Sequence, residues 1–164
     1  MSYLLAISVG PVQEFIAAAR RTRDLWFGSY LLSEISRAVA KAVVKEGGTL
    51  IFPASSEAEN VANIILAELL TGEPRSVAAA AKNAAQRQWH EFAEEAMREA
   101  SGAIRRDIWT DQVEDVIEFY AAWMPQTGRD NYGGDRGRVM RLLAGRKNCR
   151  DSNAVLHRRH FSGT

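Results

Sequence analysis

The stretch Tyr3-Leu4-Leu5-Ala6-Ile7-Ser8-Val9-Gly10-Pro11 decides the fold. A brief, mostly apolar run closed by Gly-Pro reads as a buried strand, because it is too short for a helix and ends in a sharp turn signal. Pro11 then suits the first turn of a helix, where its missing N–H costs nothing. From Val12 onward the apolar residues step by three and four: Phe15, Ile16, Ala19, Trp26, Phe27, Tyr30, Leu31, Ile35, Ala38, Val39 and Ala42. That period predicts one long helix from Pro11 to Glu46, with Trp26, Phe27 and Tyr30 on its core face. Gly47-Gly48 is its stop signal. Gly28-Ser29, mid-helix, marks a bend or a close approach.

Thr49 to Pro53 reads as a second strand, followed by a small acidic loop from Ala54 to Asn60. Val61 to Leu69 reads as a third strand, although its composition also suits helix. After the breakers Gly72 and Pro74, Ser76 is placed as the cap of an alanine-rich helix running to about Ala100. A shorter helical stretch reaches about Val116, and Ile117 to Met124 is a fourth strand. Trp89, Trp109 and Trp123 are expected in the core or in a subunit interface. The order strand, helix, strand, strand, helix, strand is α+β and ferredoxin-like, with both helices on one face of an antiparallel sheet. This ferredoxin-like domain covers residues 1–130. A basic helical extension follows over 131–151, helical from Arg136 to Arg146, and 152–164 is expected to be a disordered tail.

Composition narrows the function classes. The chain has 164 residues, 46% hydrophobic and 25% charged, and a formal net charge of +1. This is an ordinary globular domain without a global field that would draw it to nucleic acid or membrane, so such contacts need a local patch. The single cysteine, Cys149, can form neither an internal disulfide nor a four-ligand zinc site, so a reducing, cytoplasmic setting is expected. The N-terminus lacks the basic region of a signal peptide, and no run is long enough to span a membrane. His157 and His160 with Cys149 make only a weak zinc signal, and His90 needs no special role.

Two-metal palm chemistry needs a carboxylate at the end of the first strand and others on the hairpin after the second. The first strand ends Ser8-Val9-Gly10, without one, and the loop offers only Glu57 and Glu59. Gly133-Gly134-Asp135 imitates a catalytic hairpin, but Arg136 follows, and the composition is that of a turn or cap. Arg20, Arg23 and Phe27 share a helix face by spacing, with Arg20–Asp24 pairing at i, i+4 as the plain alternative to phosphate binding.

The stretch from Ile7-Ser8-Val9-Gly10-Pro11-Val12-Gln13-Glu14-Phe15 through Arg20-Arg21-Thr22-Arg23-Asp24-Leu25-Trp26-Phe27-Gly28-Ser29-Tyr30 to Glu34 resembles the opening of the first palm domain in the large subunit of type III-B (Cmr-type) CRISPR effector complexes. Arg141-Leu142-Leu143-Ala144-Gly145-Arg146-Lys147-Asn148-Cys149-Arg150-Asp151 is similar to the segment leading to that family's zinc region. The resemblance spans about residues 3 to 151.

It implies a component of an RNA-guided antiviral complex of several subunits, touching guide and target RNA indirectly. Two palms face each other with ATP between them, and a Gly-Gly-Asp-Asp hairpin on the second holds Mg2+ and makes cyclic oligoadenylate. It further implies nucleotide contact through Ser8, Gly10, Gln13, Arg20, Arg23, Asp24, Gly28 and Ser29, with Mg2+ supplied only by the partner palm. Some members carry a preceding HD nuclease domain; here the palm motif starts at residue 3, and neither that domain nor a second palm is expected within these residues. Alone, the chain is expected to be inactive. The competing reading is a structural module docking RNA backbone or an acidic partner through Arg136, Arg138, Arg141, Arg146, Lys147 and Arg150.

Overall fold

The computed structural model describes residues 1–12, 17, 19–58, 60–70, 72–100, 109, 113 and 116–158. The elements are β1 (Tyr3–Gly10), α1 (Thr22–Lys45), β2 (Gly48–Phe52), β3 (Ile64–Leu69), α2 (Pro74–Glu99), β4 (Glu118–Pro125), a 3-10 turn (Arg129–Asn131) and α3 (Tyr132–Arg158). The sheet order is β2-β3-β1-β4. Every neighbouring pair is antiparallel, with Ser8 opposite both Ile64 and Tyr120 and Gly10 opposite Glu118. This is the ferredoxin-like βαββαβ arrangement expected from the element order.

Side chains on a strand alternate between faces, so β1 serves two cores. Leu5, Ile7 and Val9 meet Ile35, Val39 and Val43 of α1 and Val77, Ala81 and Ala85 of α2. Leu4 and Ala6, with Leu66 and Ala122, meet Val139 and Leu143 of α3. A strand covered on both faces has no need of polar alternation, which is why its sequence is apolar throughout except at Ser8. The third layer, α3, is longer than the Arg136–Arg146 helix expected and continues past Ser152 to Arg158.

Three expectations are corrected. The long helix starts at Thr22, not Pro11; Pro11 is non-helical after a cis Gly10–Pro11 bond. Arg20 therefore precedes the helix and does not share a face with Arg23 and Phe27. Ser76 is not the cap of α2: Glu73 is, its carboxylate accepting from the Ser76 backbone N–H at 3.1 Å, with Pro74 following it at the helix start. Trp26, Phe27 and Tyr30 are not core, being 68%, 53% and 44% exposed.

The last correction follows from length. A helix of 24 residues is about 35 Å long and a strand of 8 residues about 24 Å. Both begin or end near the Gly10 end of the sheet, and burial on α1 starts only at Leu31. The first two turns thus extend past the sheet, and among the described residues they are bordered by Trp89 and Phe92 of α2. Gly28 lies within this overhang, where α1 is continuous.

At the opposite end the helix stop is as expected. Gly47 adopts φ +85° and its N–H donates to the Val44 carbonyl at 3.0 Å. Gly48 is held by contact: an added Cβ would lie 2.6 Å from Val43 Cγ1 and 2.9 Å from the Val43 carbonyl oxygen. Gly48→Ala is expected to cost about 1–3 kcal/mol through overpacking, read as a lower thermal midpoint with unchanged far-ultraviolet circular dichroism.

Candidate functional site

The end of β1 is more enclosed than its sequence suggests. Ser8 is 1% exposed, and Lys147 Nζ on α3 donates to its hydroxyl at 3.3 Å. The carboxylate missing from the strand itself is brought alongside by β4: a Cβ on Gly10 would lie 3.0 Å from Glu118 Oε2. Neither contact is readable in the sequence, since 139 residues separate Lys147 from Ser8. In the loop after β2, Glu57 pairs with Lys41 at 3.2 Å, and Glu59 lies outside the described residues. Among the described residues, no group of three or more His, Cys, Asp or Glu could hold a metal ion.

Around the start of α1, Arg20, Arg23 and Ser29 are exposed. The alternative of Arg20–Asp24 side-chain pairing at i, i+4 is not what Asp24 does. Its Oδ2 accepts instead from the backbone N–H groups of Arg20 (3.2 Å) and Arg21 (3.1 Å), so it caps the helix start. Its Oδ1 is 4.0 Å from Arg23 Nε, a loose contact that leaves a guanidinium 78% exposed in solvent. Gln13, the remaining residue of this set, lies outside the described residues.

The basic residues of α3 divide into two groups. Arg138 bonds Asp135 within α3 and reaches the Thr127 hydroxyl of the loop after β4 at 3.4 Å, Arg146 lies over the Trp123 ring at 5.4 Å, and Lys147 holds Ser8. These three fasten α3 to the domain. Arg136 and Arg141 are exposed, and the Arg150 side chain lies outside the described residues. A groove of about 880 Å3 runs between β4 and α3, lined by Phe119, Tyr120, Arg138, Arg141, Arg146 and Cys149 among others.

Asp135 belongs to a latch and not to a catalytic hairpin. Its side chain is fully enclosed. It accepts from the Thr127 backbone N–H at 2.8 Å, from the Thr127 hydroxyl at 3.0 Å and from Arg138. Asn131 Nδ2 donates to the same Thr127 hydroxyl at 2.8 Å. The loop leaving β4 is thereby tied to the first turn of α3. The Thr127 N–H, above all, holds the Asp135 carboxyl below its ordinary value, helped by Arg138 and the Thr127 hydroxyl and opposed by burial.

A depressed folded-state value means stability that is present above the unfolded value, about 3.9, and is lost as pH falls through the lower folded value. Asp135→Asn is therefore expected to lower the thermal midpoint at neutral pH, with the gap to the unsubstituted protein closing below about pH 4. A gap that stays constant down to pH 2 would remove the charge from the latch.

No helix among the described residues is long and apolar enough to cross a membrane. No curated protein matched the chain. A family model described as CRISPR-associated protein Cmr2, N-terminal, matches residues 4–107, which takes in β1, α1, β2, β3 and α2. That match covers more than half of the chain, and the chain belongs to the Cmr2 family of CRISPR-associated proteins, as the N-terminal region of the large subunit of type III-B complexes.

Proposed function

We propose that this domain supplies one wall of a nucleotide site and a docking surface in the assembled large subunit, and is not a complete catalyst. Membership of the family makes it part of a complex of several subunits. The observation that carries the reading is the overhang of α1, which exposes Arg20, Arg23 and Ser29 beyond the sheet. Guanidinium groups held there suit the phosphates of ATP, because their planar donors match phosphate oxygens two at a time. Ser29 offers a hydroxyl nearly two turns beyond Arg23, and Gly28 next to it leaves room for a base or a backbone. Asp24 keeps the helix start ordered by occupying the Arg20 and Arg21 amides. Gly10, with Glu118 over it, borders the same end of the sheet.

These exposed residues fit ATP; Ser8, beneath α3, joins the surface only where α3 leaves the sheet. A facing palm would close the pocket, and Mg2+ and the catalytic carboxylates of cyclic oligoadenylate synthesis would be its contribution. In a protein carrying both palms, Arg23→Ala and Ser29→Ala are each expected to weaken ATP binding, Arg23→Ala by about tenfold, in equilibrium titration. Unchanged dissociation constants for both would overturn the reading. The isolated chain given ATP, Mg2+ and target RNA is expected to yield no cyclic product by chromatography, and robust synthesis would contradict it.

A second reading rests on the exposed Arg136 and Arg141 of α3, beside the groove against β4. They suit RNA backbone. The double variant Arg136→Ala/Arg141→Ala should reduce the salt slope of RNA binding by about two, while Arg23→Ala leaves it unchanged.

A further inference from the structure

The overhanging turns of α1 form one side of a second cavity, on the opposite face of the sheet from α3. It has a volume of about 520 Å3 and is lined by Phe27, Tyr30, Trp89, Phe92 and Trp109, with Glu95 and Glu99 among its other residues. The aromatic wall is ordered by its own contacts. Trp26 stacks on Tyr30 at 5.9 Å with planes 9° apart, Phe27 lies 6.5 Å from Tyr30, and Phe92 meets Tyr30 edge-on at 6.3 Å. Trp89 is pinned by its Nε1–H, which donates to the Val113 carbonyl at 2.8 Å.

Glu95 and Glu99 are four residues apart on α2, hence on one face, and both are exposed. No cation pairs with either among the described residues. Large aromatic residues exposed on α1 are costly unless something covers them.

The chemistry of the pocket selects its occupant. Five aromatic rings offer negative π faces, and two carboxylates supply negative charge. A nucleic acid would stack on the rings, but its phosphates would meet the carboxylates. A guanidinium satisfies both features, since it stacks flat on an aromatic face while its N–H donors engage carboxylate.

We propose that this pocket is a protein-docking site that receives an arginine of a partner polypeptide, flanked by apolar residues that cover Trp26. The pocket borders the nucleotide wall, since Arg23 and Phe27 lie on one face of α1, but its carboxylates belong to α2 and its test does not depend on ATP binding. The test uses the full chain and its tryptophan fluorescence. The probes are the peptide acetyl-Leu-Arg-Leu-amide, its citrulline counterpart, which keeps the shape and loses the charge, and adenosine monophosphate.

The arginine peptide is expected to give a saturable fluorescence change, with affinity at least tenfold higher than the citrulline peptide. Glu95→Gln/Glu99→Gln should remove that advantage while leaving the circular dichroism spectrum unchanged, as expected for exposed helical positions. Should the double variant not fold, Glu99→Gln alone carries the comparison. Equal affinity for the two peptides, full retention of arginine preference in the glutamine variant, no saturable response, or binding of the nucleotide in place of the peptide would each overturn the proposal.

Discussion

The fold depends on a single strand that is buried on both sides. Five of the eight residues of β1 are large or small hydrophobes at or near zero exposure, and they belong alternately to two cores. One layer of helices can cover only one face of a sheet. The α1 and α2 pair covers the first, and α3 must cover the second, because an exposed Leu4 and Ala6 would forfeit the apolar burial that stabilises the centre of the sheet. The contacts that fasten α3, including the Asp135 latch and the Lys147–Ser8 hydrogen bond, follow from that need.

Covering the sheet sets the shape of the remaining surface. The helices are longer than the strands they cover, so α1 projects past the end of β1 near Gly10. The projection exposes Arg23 and, beginning with Phe27 on the same face, an aromatic wall against α2, with Ser29 turned to another face. Two different surfaces thus arise from one mismatch of length. A polar surface around Arg23 tolerates water. The wall around Trp26, Phe27 and Tyr30 does not, which makes it the more informative of the two about what the domain meets.

Much of the fold was legible because local rules and tertiary packing agree. The run Tyr3 to Val9, the stop at Gly47-Gly48 and the apolar period from Leu31 to Val43 each have one reading, and the structure follows it. Period alone failed at Trp26, Phe27 and Tyr30, since three- and four-residue spacing states which residues share a face but not how far the face is covered. The same limit applied to Ser76, a good capping residue displaced by Glu73, three residues upstream and preceding a proline. The residues proposed for the site could be named from the sequence, and their arrangement could not. Ser8 was expected in a buried strand, but that Lys147 of α3 closes over it, and that Ser29 stands in solvent, came only with the packing.

The sequence by itself determined the element order, the strand that lies at the centre and the family, because these are set by local periodicity, turn residues and one long motif. Only the tertiary structure decided which face each core residue serves, that Lys147 sits over Ser8, that Asp135 latches a loop, and that the start of α1 lies beyond the sheet. Those features depend on pairs of residues far apart in the chain and on the relative lengths of packed elements, and neither quantity is written in any local window of sequence.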